Sequence, residues 1–169
     1  IENEEKRLGL GHEGTSVFYI RLARNYFDQG LKQKATSTLS SSLKMTEKFY
    51  GFSSLSVRDV VVNIADLYSD LGFYKQSKSL YLKALAIEEK EFISDPWTIR
   101  SLAWLNQKIG LYDESEDFFL RALAIEEKEL GVGHIDTAAT LSELGWLYRE
   151  RGLLDKAEST LKIALAIEE

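Results

Sequence analysis

The sequence predicts an all-α protein built as a solenoid of antiparallel helix pairs, and three observations carry that expectation. A ten-residue segment recurs along the chain, a glycine recurs at the same point of every unit, and a single proline among 169 residues leaves long stretches free to be helical. An apolar content of 44% supplies a core, so the chain does not read as disordered.

The repeated segment is residues 82–91, LKALAIEEKE. It returns at 120–129 as LRALAIEEKE, at 161–169 as LKIALAIEE with its opening displaced by one residue, and in degenerate form at 40–48 as SSSLKMTEK. Gly30, Gly72, Gly110 and Gly152 mark the turn of each unit at spacings of 42, 38 and 42, so the third unit has lost four residues from the loop before it. Such self-similarity is the signature of stacked repeats.

Within each unit two amphipathic stretches are expected. The first helices carry Tyr19, Leu22, Ala23 and Tyr26 before Gly30, then Val61, Ile64, Ala65 and Tyr68 before Gly72. The fourth unit has Leu141, Leu144, Gly145 and Tyr148 before Gly152. The small residue of each first helix (Ala23, Ala65, Ala103 or Gly145) admits a close helix approach, and the turn glycine supplies a left-handed cap. The second helices show Ser115, Phe119, Ala122, Leu123 and Ala157, Leu161, Ala164, Leu165, apolar stripes at i, i+4, i+7 and i+8.

This pattern resembles the tetratricopeptide repeat, and the long connector at residues 130–137 (LGVGHIDT) resembles the 42-residue variety found in kinesin light chains. The resemblance covers essentially the whole chain. It implies a right-handed superhelical solenoid divided into the end of a preceding repeat (1–8) and four repeats at 9–50, 51–91, 92–129 and 130–169, the last cut at its end. Both ends then fall inside repeats, and the chain reads as a fragment of a longer array. In that case Leu161, Leu165 and Ile167 lie partly open, lacking the repeat that would cover them.

Inventory argues against chemistry. The chain has no cysteine, which removes disulfides and thiolate metal sites and fits a reducing, cytoplasmic setting. Its two histidines, His12 and His134, occupy equivalent connectors, each three residues before a threonine (Thr15, Thr137) expected to cap a helix. No phosphate-binding loop or His-Glu-x-x-His motif occurs. The Glu-Glu-Lys runs read as solvated helix faces. No catalytic residue, metal site or cofactor is expected. A formal net charge of −6 disfavours nucleic acid, and no apolar run is long enough to span a membrane.

The resemblance also implies where a partner binds, since first helices line the concave groove of such solenoids. The groove-facing positions are then Val17, Ile20, Arg24, Phe27 and Asp28 in the first unit, and Asp59, Val62, Asp66, Ser69 and Asp70 in the second. The third supplies Trp97, Arg100, Trp104, Gln107 and Lys108, and the fourth Ala139, Ser142, Trp146, Arg149 and Glu150. Candidate partner-binding residues are Trp97, Arg100, Trp104, Trp146 and Arg149, with Asp59, Asp66 and Asp70 as an acidic counterpart that would orient a bound segment. Tryptophan and arginine carry binding energy out of proportion to their frequency. A helical tryptophan also commonly belongs to a core, and Trp97 follows Asp95-Pro96, which reads as a helix start compensating for the shortened loop. The paired lysines and asparagines that clamp chaperone tails are not reproduced, Asn63 alone lying at a comparable place. The expected role is a scaffold binding a protein or peptide segment, supplied by another molecule or by another domain of the same chain. The alternative is a regulatory or sensor segment inside a multidomain enzyme such as a caspase-like protease or a signalling ATPase.

Overall fold

The computed structural model describes residues 13–50, 55–93 and 95–169, and every regular element among them is helical. The expected start of the chain, including His12 and the preceding-repeat remnant, lies outside the described residues. The chain divides into two compact units, residues 1–93 and 94–169. The first contains α1 (Glu13–Asp28), α2 (Lys32–Tyr50), a 3₁₀ turn (Leu55–Val57), α3 (Arg58–Asp70) and α4 (Tyr74–Lys90). The second contains α5 (Pro96–Lys108), α6 (Tyr112–Glu129), α7 (Ile135–Glu150) and α8 (Leu154–Glu168). Consecutive helices pack as antiparallel pairs, α1 on α2, α3 on α4, α5 on α6 and α7 on α8.

Each pair is closed by the same turn. Gly30, Gly72, Gly110 and Gly152 have φ of 74°, 85°, 79° and 75°, and a Cβ at any of them would meet nothing within 4 Å. Glycine is therefore required for its backbone angle and not for space. In the last pair the Gly152 N–H donates to the Arg149 carbonyl and the Leu153 N–H to the Tyr148 carbonyl, at 3.0 and 2.9 Å. These are the two bonds of a Schellman motif, and the other three turns repeat them. The Leu153 carbonyl then accepts from the Ala157 N–H, so one apolar residue ends α7 and begins α8. Leu31, Phe73 and Leu111 do the same in their turns.

The small residues sit where the paired helices come closest. Ala23, Ala65 and Ala103 are fully buried. The Ser77 hydroxyl donates to the Ala65 carbonyl at 2.7 Å and the Ser115 hydroxyl to the Ala103 carbonyl at 2.8 Å. At Gly145 a Cβ would lie 2.6 Å from Leu161 Cγ, so here the glycine is required for space. Ala103→Leu is expected to lower stability by about 1–3 kcal/mol through overpacking. A neutral result in urea unfolding would show that α5 and α6 do not need a small residue at their crossing.

Three expectations are corrected. Val62 is 7% exposed and belongs to the core, because α3 is packed by α1, α2 and α4 and so buries more than one face. The first glutamate of the Glu-Glu-Lys run is not solvated: Glu88 and Glu126 are 0% and 1% exposed, while Glu89 and Glu127 face solvent. The cap of α7 is His134, whose Nδ1 accepts from the Asp136 N–H at 3.2 Å. Thr137 lies inside the first turn and donates its hydroxyl back to the Gly131 carbonyl at 3.0 Å. At the end of α8, Leu165 is exposed and Leu161 and Ile167 are half-buried.

Candidate interaction surface

The second unit gathers the aromatic candidates. Asp95 caps α5, its Oδ1 accepting from the Trp97 N–H at 2.9 Å with Pro96 at the first helical position, so Trp97 is fixed at the helix start. First helices α5 and α7 are joined directly. The Arg100 guanidinium donates to the Thr140 hydroxyl at 3.4 Å, and Gln107 Nε2 donates to Glu150 Oε2 at 2.9 Å. This pairing order makes the two helices run side by side in one direction. Trp104 falls between Arg100 and Gln107, and Trp146 between Thr140 and Glu150, so both tryptophans occupy the same stretch of that pair.

None of the tryptophans is fully buried: Trp97 is 52% exposed, Trp146 44%, and Trp104 is half-buried. Each has a cation of its own helix over its ring. Arg149 lies 4.0 Å from the Trp146 centroid, Lys108 5.0 Å from Trp104 and Arg100 5.6 Å from Trp97, all within cation–π range. Arg149 is exposed and is near no carboxylate among the described ion pairs. Arg100 is committed inward, 3.4 Å from the Glu126 carboxylate.

Glu126 sits at the end of the apolar stripe of α6. Burial pushes its carboxyl above the ordinary range, against the lowering effects of a Thr140 hydrogen bond and the Arg100 charge. A second polar cluster ties the other ends of these helices. Glu116 of α6 accepts from the Tyr148 hydroxyl at 2.8 Å and pairs with Arg151, which also reaches Asp113 at 2.7 Å. Desolvation, with the Glu116 bond adding to it, pushes the Tyr148 hydroxyl up to about 12.

The three aspartates lie in the first unit, and each is engaged. Asp70 pairs with Arg24 and Asp59 with Arg58 at 2.9 Å. Asp66 accepts from the Tyr81 hydroxyl, and burial raises its carboxyl despite that bond. Asn63 donates to the Asp59 carbonyl at 2.7 Å. Sequence reasoning missed Glu126 and the Arg58–Glu88 pair, although both glutamates continue the i, i+4, i+7, i+8 stripe to i+11. Among the described residues no group of acidic and histidine side chains is placed to hold a metal ion, and no helix is long and apolar enough to cross a membrane.

Comparison with known proteins agrees with this architecture. Tetratricopeptide-repeat models match residues 59–91 and 97–169, together more than half of the chain. The chain belongs to the tetratricopeptide-repeat family. A Podosopora anserina protein of kinesin-light-chain type with nearly identical TPR-like repeats superposes with a TM-score of 0.85 at 23% identity, over 99% of this chain and 81% of that one. BtubC (BKLC) from P. vanneervenii gives 0.76 at 23% identity, over 90% and 63%. Aspartyl phosphate phosphatase F from Bacillus subtilis gives 0.67 at 15% identity, over 91% and 40%. No curated protein matches the chain by sequence. The chain is thus a helical-repeat module of the protein-interaction kind, a fold that in general is a non-catalytic scaffold whose members bind proteins or peptides.

Proposed function

We propose that this module, working in a reducing cytoplasmic setting, binds an extended protein segment of acidic and apolar side chains along the α5–α7 surface. The observation that carries the reading is Arg149: an exposed guanidinium held 4.0 Å over the half-open Trp146 ring. An arginine pre-placed on an aromatic face offers its outer edge to a carboxylate while the ring offers an apolar slot. Trp104 and Trp97 extend the aromatic strip along α5, whereas Asp59, Asp66 and Asp70 belong to the first unit and are each engaged by a partner there.

The test uses a fluorescein-labelled peptide alternating Glu with Leu and Phe, beside a counterpart with Lys replacing each Glu. Trp146→Ala combined with Arg149→Ala is expected to weaken binding of the acidic peptide at least tenfold, roughly 1.4 kcal/mol. Thermal stability should barely change, since Trp146 is 44% exposed. Equal affinity of the double variant, or preference for the lysine peptide that survives it, would move the partner site elsewhere.

A further inference from the structure

The second unit also holds a cleft of about 400 Å³ whose charge is opposite to that of the Trp146–Arg149 surface. It lies between the start of α5, the end of α6 and the first turn of α7. Its polar lining is Asp95, Glu126, Glu129 and Asp136 against the single guanidinium of Arg100, and Trp97 and Leu130 provide apolar wall.

Glu126 is the buried carboxylate of this lining. It is 1% exposed, and its Oε2 has no hydrogen-bond partner. Its other oxygen faces Arg100 at 3.4 Å, longer than the 2.7–2.9 Å of a good charge-assisted bond. Arg100 cannot close that distance freely, because it also reaches Thr140 at 3.4 Å and lies against the Trp97 ring at 5.6 Å. A buried carboxylate oxygen left unbonded costs folding free energy; Glu126 Oε2 is closed to direct contact, so a second positive group in this cleft pairs directly with the exposed Glu129 and Asp136 and acts on the Glu126 charge from beside it. Trp97 supplies an aromatic face for such a group, and the wall beside it suits an alkyl stem.

We propose that this cleft receives the basic side chain of a protein partner, an ammonium or guanidinium group on an alkyl stem. The carboxylates are not arranged around one point as a metal ion requires, and the excess of negative charge rejects an anion. The Trp146–Arg149 pair that carries the acidic-segment reading does not line this cleft; the two surfaces share Trp97, and the sign of the charge each accepts tells them apart.

The experiment is an NMR titration of the whole 169-residue chain, following the Trp97 indole N–H signal, assigned by its loss in Trp97→Phe. The probes are N-acetyl-lysine N-methylamide, its arginine equivalent, the Nε-acetylated lysine and the glutamate equivalent. A saturable shift is expected with the two cationic probes and none with the neutral or anionic ones. Glu126→Gln should weaken the cationic probes at least fivefold. Should that variant fail to fold, Glu129→Lys, a change at an exposed position, should abolish their binding. Absence of a saturable shift, an equal shift with acetylated lysine or glutamate, or undiminished binding by a folded Glu126→Gln or Glu129→Lys chain would overturn the proposal.

Discussion

Phe119→Ala is expected to lower stability by about 3–5 kcal/mol, the largest effect of any single change considered for this chain. Phe119 is 1% exposed and forms a core with Ala103, Leu144, Leu147, Tyr148 and Ala157, with Phe118 packed against it. Two of those neighbours are alanines, which cannot expand into the space a phenyl ring leaves. The cavity would therefore stay open, and cavity volume adds to the lost transfer energy. The readout is favourable. All three tryptophans belong to residues 94–169, whereas far-UV circular dichroism reports every helix. Urea unfolding followed by tryptophan fluorescence should show the full loss. A change below about 1 kcal/mol would mean that Phe119 is not the centre of this core.

Arg58→Met should cost about 3 kcal/mol for a different reason. The Arg58 Nε donates to Glu88 Oε1 at 2.6 Å, with the Glu88 side chain 0% exposed and that of Arg58 16%. Burial alone would lower the Arg58 pKa, yet the hydrogen bonds it donates to Asp59 and Glu88 hold it above its ordinary value. Removing the guanidinium breaks the buried pair and takes from the Glu88 carboxylate its 2.6 Å charge-assisted bond. Adding Glu88→Met to the variant should recover most of the loss, since two apolar groups replace a matched pair. Because this pair belongs to the first unit, circular dichroism is the signal to follow. Equal destabilisation of the single and double variants would show that packing of the arginine stem, not charge, is what the fold loses.

Much of the architecture was legible because four copies of one pattern were present. The turn glycines stood out by position alone, and the structure gives them a common conformation that only glycine adopts readily. The small residue of each first helix was legible because nothing else in an apolar stripe explains an alanine repeatedly placed there. The buried glutamates were misread because charge was allowed to override periodicity. Glu88 follows Ser77, Tyr81, Ala84 and Leu85 at the next stripe position, and Glu126 does the same after Ser115. What satisfies them is not local: Arg58 is 30 residues from Glu88, and Arg100 precedes Glu126 by a whole helix. The histidine cap was missed because threonine is the commoner capping residue, while His134 stands directly before the helix and Thr137 is its third residue. Exposure of the tryptophans was not legible at all. Periodicity puts Trp104 and Trp146 at equivalent points of α5 and α7, but how much ring stays open depends on neighbouring helices.

The closing turns bear on where this chain can be lengthened. In each of them a glycine and one apolar residue fasten two helices through a pair of backbone bonds, and the apolar residue serves both helices at once. An inserted residue would undo the end of one helix and the beginning of the next together. The stretch from Leu130 to His134 is a different kind of joint: Val132 is 68% exposed, Gly133 has open space around it, and the equivalent stretch of the preceding unit is shorter by four residues. An epitope, a fluorophore-bearing cysteine or a recognition loop grafted between Val132 and Gly133 would therefore be carried without rewinding a helix, whereas the same graft at Gly110 or Gly152 would sever one.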